Sequence, residues 1–412
     1  MKYGLIGERL GHSFSKDIHA HLASYEYELC EVCREDFDSF ARRRDFNAIN
    51  VTMPYKCDFL PYLYHIDDTA REIGAVNVVV NREGLLYGYN TDFYGMRALI
   101  NKMGVNPEGK KCAILGTGGT SKTARAVLAS FGAGEILTVS RSVKDGCITY
   151  EELYEKHSDV ELIVNTTPLG MFPSNDGIAV DLARLPRVAA VADAVYNPLS
   201  TRLVLEAREK KIKAEGGLYM LVAQAVRASE IFIDTVYGQE VLDGVFEKIK
   251  ASKENVVLTG MPASGKSTVG RLVAEALGRE FCDTDTLIEE KTGMKIPDIF
   301  EKKGEAYFRD IECEVIKETA KKTSLVIATG GGAILRGENV SALKQNGRIY
   351  FLNRDISLLT PTADRPLSSS REAIEKRYRE RYPIYKSSAD REIEANGTAS
   401  EVAEKIIGDF RK

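Results

Sequence analysis

Short apolar runs alternate with amphipathic stretches along most of the chain. Leu5-Ile6, Tyr27-Glu28-Leu29 and Ala48-Ile49-Asn50-Val51 read as strands, and Asp17–Tyr25 and Asp67–Ile73 as helices. The rhythm continues from residue 104. There, 112–115, 135–140, 161–165 and 189–193 are short bounded apolar runs suited to buried strands, with helical stretches between them. Such alternation predicts parallel sheets with helices on both faces. Residues 217–249 keep helical periodicity without strands, and the polar stretch Lys250-Ala251-Ser252-Lys253-Glu254-Asn255 predicts a linker. A second α/β rhythm then opens on Val256-Val257-Leu258. The predicted class is α/β throughout, divided at 1–103, 104–216, 250–255 and 256–412, with the helices of 217–249 returning to the first lobe. A length of 412 residues suits this division, because one core rarely serves so long a chain.

Composition narrows the partners. The net charge is −4 and the acidic and basic residues are mixed along the chain, which gives no reason to expect nucleic acid. No apolar stretch approaches the length of a membrane span. The opening Met1-Lys2-Tyr3-Gly4-Leu5-Ile6-Gly7 lacks a signal-peptide pattern and reads as a strand. Seven cysteines are scattered, and Cys30 and Cys33 form a C-x-x-C with no second pair nearby to complete a zinc site. Reduced thiols in a cytoplasmic protein are expected.

The chemistry is carried by two glycine loops of different kinds. Gly116-Thr117-Gly118-Gly119-Thr120-Ser121 follows the apolar run Cys112–Leu115 and precedes a helical run over Ser121–Ser130. A strand, a glycine loop and a helix offer free backbone N–H groups and a positive dipole end to a phosphate. This loop has no Lys and suits a dinucleotide, although the third glycine of G-x-G-x-x-G is missing. The next strand, Ile136-Leu137-Thr138-Val139, ends at Ser140-Arg141-Ser142, where an NAD enzyme usually has Asp or Glu. A guanidinium between two hydroxyls suits a 2′-phosphate. NADP(H) is therefore expected, held by Gly116, Gly118, Gly119, Ser140, Arg141 and Ser142; the plainer alternative is an exposed Arg at a strand end.

The second loop, Gly260-Met261-Pro262-Ala263-Ser264-Gly265-Lys266-Ser267, fits the P-loop spacing in full. Gly260, Gly265, Lys266, Ser267 and Thr268 are the expected ATP residues. Lys266 would reach the terminal phosphates and Ser267 would hold Mg²⁺. Downstream, Phe281-Cys282-Asp283-Thr284-Asp285 places two carboxylates two residues apart. On an extended segment they would share a face, one assisting Mg²⁺ and the other meeting an acceptor hydroxyl. One polypeptide is thus expected to run hydride transfer and phosphoryl transfer.

Six further motifs stand in order through the first half. They are Ser13-Phe14-Ser15, Asn50-Val51-Thr52-Met53-Pro54-Tyr55-Lys56, Ile73-Gly74-Ala75-Val76-Asn77, Asn90-Thr91-Asp92, Asp193-Ala194-Val195-Tyr196-Asn197-Pro198 and Gly217-Leu218-Tyr219-Met220-Leu221-Val222-Ala223-Gln224-Ala225. With them, residues 1 to about 245 resemble shikimate dehydrogenase. The resemblance implies that Ser13 and Ser15 hold the substrate carboxylate, that Thr52, Asn77, Tyr196 and Gln224 bond ring hydroxyls and carboxylate, and that Gly217 lies on the cofactor side. Hydride delivery to a ketone leaves negative charge on oxygen, so a proton donor is needed, and Lys56 is placed to act as general acid. Asp92 would pair with Lys56 and hold the substrate hydroxyl; the plainer alternative is a surface ion pair. Where the family usually has Pro after the second serine, this chain has Lys16. Quinate-using relatives differ in this region.

The second half carries Ile296-x-x-Ile299-Phe300-x-x-x-Gly304-Glu305-x-x-Phe308-Arg309-x-x-Glu312, Ala328-Thr329-Gly330-Gly331-Gly332-Ala333, Arg365-Pro366-Leu367 and Arg381-x-Pro383-x-Tyr385. With the P-loop and the paired aspartates, residues 254–412 resemble shikimate kinase. The resemblance implies that Asp283 supports Mg²⁺, Asp285 binds the acceptor diol, Arg309 and Arg381 clamp the carboxylate, and Gly331 and Gly332 bond the ring side. Arg365 would come from a lid and neutralise the transferring phosphoryl group. Many members carry an adenine-stacking Arg where this chain has Leu358-Leu359-Thr360-Pro361.

The expectation is a fusion that reduces 3-dehydroshikimate to shikimate with NADPH and then phosphorylates shikimate with ATP. Its fold would be a two-lobed dehydrogenase with a Rossmann lobe, then a P-loop kinase of the nucleoside-monophosphate-kinase type. One alternative is a quinate/shikimate dehydrogenase with an attached kinase. Another is a ligand-sensing regulator built from inactive copies of both domains, which would be expected to have lost Lys56, Asp92, Lys266 or Asp285; all four are present.

Overall fold

The computed structural model describes residues 1–11, 13–359 and 371–411. The chain divides into two compact units, Met1–Lys250 and Ala251–Lys412.

The first unit opens with a six-stranded sheet of β1 (Tyr3–Gly7), β2 (Tyr27–Glu31), β3 (Ala48–Val51), β4 (His65–Ile66), β5 (Val78–Arg82) and β6 (Leu85–Tyr89). Its order is β2-β1-β3-β5-β6-β4. The sheet is mixed, because β5 runs antiparallel to both β3 and β6. The β5–β6 hairpin lies outside the sequence expectation. Its two-residue turn, Glu83-Gly84, takes positive φ at both positions (53° and 85°), which matches the strand twist. Asn81 Oδ1 accepts from the Gly84 amide at 2.8 Å and steadies the turn.

The helices of this part are α1 (Ser15–His19), α2 (Phe37–Arg43), α3 (Asp68–Ile73) and α4 (Thr91–Lys102). The helix expected over 17–25 is instead short and early. After His19 the backbone tightens to three-residue bonds, His21 N to Ile18 O and Leu22 N to His19 O, while the His21 ring takes the Asp17 carbonyl.

The second sheet contains β7 (Lys111–Leu115), β8 (Glu135–Ser140), β9 (Ile148–Thr149), β10 (Leu162–Asn165), β11 (Ala190–Asp193) and β12 (Lys213–Glu215). Its order is β12-β11-β10-β7-β8-β9, and every pair is parallel. With it come α5 (Gly119–Ser130), α6 (Tyr150–Lys156), α7 (Arg202–Glu209), α8 (Leu218–Ile233) and α9 (Gln239–Lys253). Two-sided burial explains the unbroken apolar runs of β7, β10 and β11, whose central residues are fully buried.

Helix α8 ties the unit together. Val222, Ala223 and Val226 share a core with Met96 and Leu99 of α4 and with Ile114 and Val164 of the parallel sheet. Ala228 and Phe232, further along α8, pack with Leu5, Ala48 and Val78 of the first sheet. Gly95 permits the close α4–α8 approach, since a Cβ there would stand 2.5 Å from the Met220 carbonyl.

The division between the units falls within residues 250–255, which are mostly regular structure. Helix α9 runs through Lys253 and the next strand opens at Asn255. The carbonyls that a helix end leaves open find partners: Arg279 donates to Ala251 O and Glu254 O, and Ser324 Oγ donates to Ser252 O.

The second unit is a five-stranded parallel sheet of β13 (Asn255–Thr259), β14 (Glu280–Asp283), β15 (Leu325–Ala328), β16 (Gly347–Asn353) and β17 (Arg391–Glu394), in the order β14-β15-β13-β16-β17. Around it lie α10 (Lys266–Leu277), α11 (Thr284–Thr292), α12 (Ile296–Ala320), α13 (Gly337–Asn346), α14 (Arg371–Ser388) and α15 (Ala399–Phe410). Val256 and Leu258 of the central strand face a core with α10 and α15, and Val257 faces the opposite core with Ile316 and Leu343. Helix α12 is two helices meeting at Gly304, whose φ of 83° breaks the helical path. That break lies one residue before Glu305 and sets the direction of the segment carrying Arg309.

Candidate active sites

In the first unit, the segments after β1, β3 and β11 and the ends of α1, α4 and α8 surround a cavity of about 480 Å³. Ser13, Ser15, Thr52, Lys56, Asn77, Asp92, Tyr196, Gly217 and Gln224 all line it. Lys56 Nζ donates to Asp92 Oδ2 at 2.5 Å. Asn77 Nδ2 reaches the other carboxylate oxygen at 3.0 Å and Gln224 Oε1 at 3.3 Å. The Thr91 amide donates to Asn77 Oδ1 at 2.7 Å, so the first turn of α4 orients the Asn77 amide. Ser13 Oγ and Ser15 Oγ lie 3.1 Å apart at the start of α1. Phe14 packs edge-on against the Tyr196 ring at 5.3 Å, and burial pushes the Tyr196 phenol up. Lys16 is exposed on α1 and is not among the cavity-lining residues.

The first glycine loop adjoins this cavity, and Thr120 lines it. Gly116 has φ of 103°, and a Cβ there would meet Thr167 Cγ2 at 3.0 Å, so the turn requires glycine. A Cβ at Gly118 or Gly119 would meet nothing within 4 Å, so the start of α5 presents open backbone. That face suits a pyrophosphate. Ser140 ends β8 buried, and its Oγ accepts from the Ser142 amide at 3.3 Å. Arg141 and Ser142 are exposed. Lys144 also belongs to this corner: its Nζ donates to Thr117 Oγ1 at 3.3 Å. The readable signal was a second cation three residues after Arg141. Gly217, at the head of α8, is demanded by packing, since a Cβ would stand 2.2 Å from the Ala194 carbonyl.

In the second unit the P-loop joins β13 to α10. Lys266 is buried and donates to Gly260 O at 3.0 Å and Met261 O at 2.9 Å, curling back over the loop. Gly260 and Gly265 have φ of 149° and 93°, and Thr268 is exposed in the first turn of α10. Ser267 Oγ donates to Asp283 Oδ2 at 2.6 Å. A hydroxyl and a carboxylate at the foot of a phosphate loop are hard oxygen donors of the kind Mg²⁺ takes, so these two residues fit the metal.

The paired aspartates correct one expectation. They do not share the face of a strand: β14 ends at Asp283 and α11 begins at Thr284. Asp283 is the helix N-cap and its Oδ1 accepts from the Asp285 amide at 3.0 Å. Capping turns the chain there, so Asp283 faces Ser267 while Asp285 projects from the first helical turn towards the glycine turn. A Cβ on Gly330 would meet Asp285 Oδ1 at 2.6 Å.

Asp285, Arg309, Gly331, Gly332 and Arg381 line a cavity of about 570 Å³ with Phe300 and Phe308 on its wall. Arg309 is held by Glu312 at 2.8 Å and Glu305 at 3.1 Å. Burial pushes the Glu312 carboxyl up, with Arg309 acting against it. Arg381 Nη1 donates to Gly331 O at 2.9 Å, and the Tyr385 hydroxyl donates to Gly260 O at 2.9 Å and also to Gly331 O. Tyr385 thus spans the P-loop and the glycine turn, a role that its place in the R-x-P-x-Y motif did not announce. A Cβ on Gly332 would strike the Arg309 guanidinium at 2.4 Å. Arg365 lies outside the described residues. Arg9 in the first cavity and Arg377 in the second are lining cations that the motifs did not single out.

The geometry agrees with what the chain is similar to. Residues 5–79 match the shikimate dehydrogenase substrate binding domain, and residues 262–411 match the shikimate kinase family. A shikimate dehydrogenase (NADP(+)) of Clostridium beijerinckii is 35% identical over 261 residues, covering 59% of this chain and 96% of that relative. A shikimate kinase of Clostridium botulinum is 44% identical over 158 residues, covering 37% of this chain and 95% of that relative. The chain belongs to the shikimate dehydrogenase family in its first unit and to the shikimate kinase family in its second. Among solved structures, shikimate dehydrogenase 1 of Peptoclostridium difficile aligns with 60% of this chain and 98% of its own, at 33% identity and a TM-score of 0.56. Both families are α/β, as are both units here. Among the described residues no helix is long and apolar enough to cross a membrane.

Proposed function

We propose that the chain catalyses two consecutive steps, the NADPH-dependent reduction of 3-dehydroshikimate to shikimate and the ATP-dependent phosphorylation of shikimate to shikimate 3-phosphate. The observation that carries this reading is that each unit has its own cavity, the first lined by Ser13, Ser15, Lys56, Asn77, Asp92 and Gln224 and the second by Asp285, Arg309, Gly331, Gly332 and Arg381. The residues 1–103 with 217–249 form the substrate lobe of the first unit, and 104–216 its cofactor lobe.

In the reductase site, Ser13 and Ser15 bind the carboxylate and Asp92 holds the ring hydroxyl. Lys56 gives its proton to the oxygen that gains charge, and Asp92 keeps the ammonium aimed at it. Gly116, Gly118 and Gly119 hold the pyrophosphate, and Ser140, Arg141 and Ser142 the 2′-phosphate. In the kinase site, Arg309 and Arg381 bind the carboxylate, Gly331 and Gly332 flank the ring, and Asp285 accepts the hydroxyl proton. Lys266 would meet the phosphates of ATP, and Ser267 and Asp283 would hold Mg²⁺. When bound, NADPH supplies the hydride, and Mg²⁺ with ATP supplies the phosphoryl group and its neutralising charge.

All seven cysteines are free, which supports a reducing cytoplasmic setting for this pair of activities. The test is one incubation of 3-dehydroshikimate, NADPH, ATP and Mg²⁺ with the full chain. Stoichiometric NADPH oxidation and ADP release with shikimate 3-phosphate as product is the expected result. Product that stops at shikimate would remove the kinase half of the reading.

A further inference from the structure

Resting on the shikimate kinase reading of the second unit, we propose that Arg377 is a third arginine contact for the acceptor's carboxylate, beside Arg309 and Arg381. Arg377 lines the same cavity of about 570 Å³ as both of them. It stands four residues before Arg381 on α14, so the two guanidiniums rise from one helix face.

Its surroundings say which end of the ligand it meets. Burial pushes the Arg377 guanidinium down, Arg381 and Arg309 repel it, and Glu305 and Glu380 act the other way. Apart from the exposed Glu380, these are the residues of the carboxylate clamp, not those of the P-loop. A half-buried arginine beside two like charges carries a standing electrostatic cost, and an anionic ligand at that point relieves it.

The experiment compares wild type, Arg377→Met and Arg377→Lys in the full chain. Calorimetric binding is measured for shikimate and for its methyl ester, which keeps the ring and removes the charge, and is fitted with two sites because the first unit also takes shikimate; the affinities compared are those of the second unit. KM for shikimate and for ATP is measured alongside. The expected result is affinity for shikimate weakened about tenfold in Arg377→Met, the scale of one lost charge-assisted hydrogen bond. Affinity for the ester and KM for ATP should be unchanged, and Arg377→Lys should recover part of the loss. Equal affinity of wild type and Arg377→Met for shikimate would overturn the proposal. So would an equal loss for shikimate and ester, because that marks a packing role. Wild type that fails to phosphorylate shikimate at all would remove the kinase reading itself.

Discussion

Lys56 Nζ and Asp92 Oδ2 stand 2.5 Å apart, and Asn77 Nδ2 holds the other Asp92 oxygen at 3.0 Å. The carboxylate is pinned from both sides, and through it the ammonium. Lys56 comes from the segment after β3 and Asp92 from the first turn of α4, so the pair joins two elements across the cavity. The side chains keep 28% and 19% of their exposure, enough to meet a ligand from the open side.

Lys56→Ala should therefore cost reductase kcat by roughly 10²–10⁴, the range for loss of a general acid, with a smaller change in KM. The kinase rate of the same protein should be unaltered, since none of its cavity residues belongs to the first unit. Steady-state rates of both reactions check this. A rise in KM at constant kcat would assign Lys56 to binding alone.

Arg141→Asp should raise KM for NADPH by about tenfold or more and leave KM for NADH little changed, because a carboxylate repels the 2′-phosphate but accepts from a 2′-hydroxyl. Lys144→Ala should produce a smaller shift in the same direction, as Lys144 reaches the glycine loop at Thr117. Wild type that turns over NADH as readily as NADPH would remove the 2′-phosphate argument.

Asp283→Asn and Asp285→Asn should fail in different ways. Asn remains a good helix N-cap, so the first substitution spares α11 while removing the negative charge beside Ser267. Its Mg²⁺ requirement should rise. Asp285→Asn should lose phosphorylation with little change in Mg²⁺ requirement. Metal titrations of both variants decide the matter, and the reverse pattern would exchange the two roles.

Much of both sites is legible in the amino-acid sequence, because each is built from short continuous motifs. Lys56 lies a few residues after its strand, and the P-loop carries Lys266 and Ser267 within one octapeptide. What escapes the sequence depends on three-dimensional approach or on local capping. Asp283 leaves the strand register because it caps α11. Residues 250–255 read as a linker by polarity, and the two units divide there; what polarity does not show is that Arg279 and Ser324, remote in sequence, close the end of α9. Arg377 reads as one charge in a run of charges until α14 turns it to the face of Arg381. The β5–β6 hairpin is hidden because its turn uses Glu83 at a positive φ that Asn or Asp usually fills.

Asp193 gives a prediction about pH. It ends β11 fully buried and accepts from Asn165 Nδ2 at 2.9 Å, the Val195 amide at 3.0 Å and Thr201 Oγ1 at 2.6 Å. Burial nevertheless pushes its carboxyl up from 3.8 to about 6, the three hydrogen bonds acting against the rise. Between those values the folded chain keeps a proton that the unfolded chain has released. The stabilisation from this group is thus fully present below the unfolded value, and it is lost as pH rises through about 6. Its size is on the order of 2–3 kcal/mol at most, at about 1.4 kcal/mol per unit of difference. Asp193→Asn removes the titration, and the amide still fills the site. Urea unfolding followed by circular dichroism at several pH values checks this, with NADP⁺ and ATP used to identify which transition belongs to which unit. For the transition that NADP⁺ shifts, the stability of wild type relative to Asp193→Asn should fall steadily from about pH 4 to about 6 and level off above, while the ATP-shifted transition stays the same in both proteins. Parallel pH profiles for the two proteins would mean that Asp193 stays ionised in the folded chain, held by its three donors against the cost of burial.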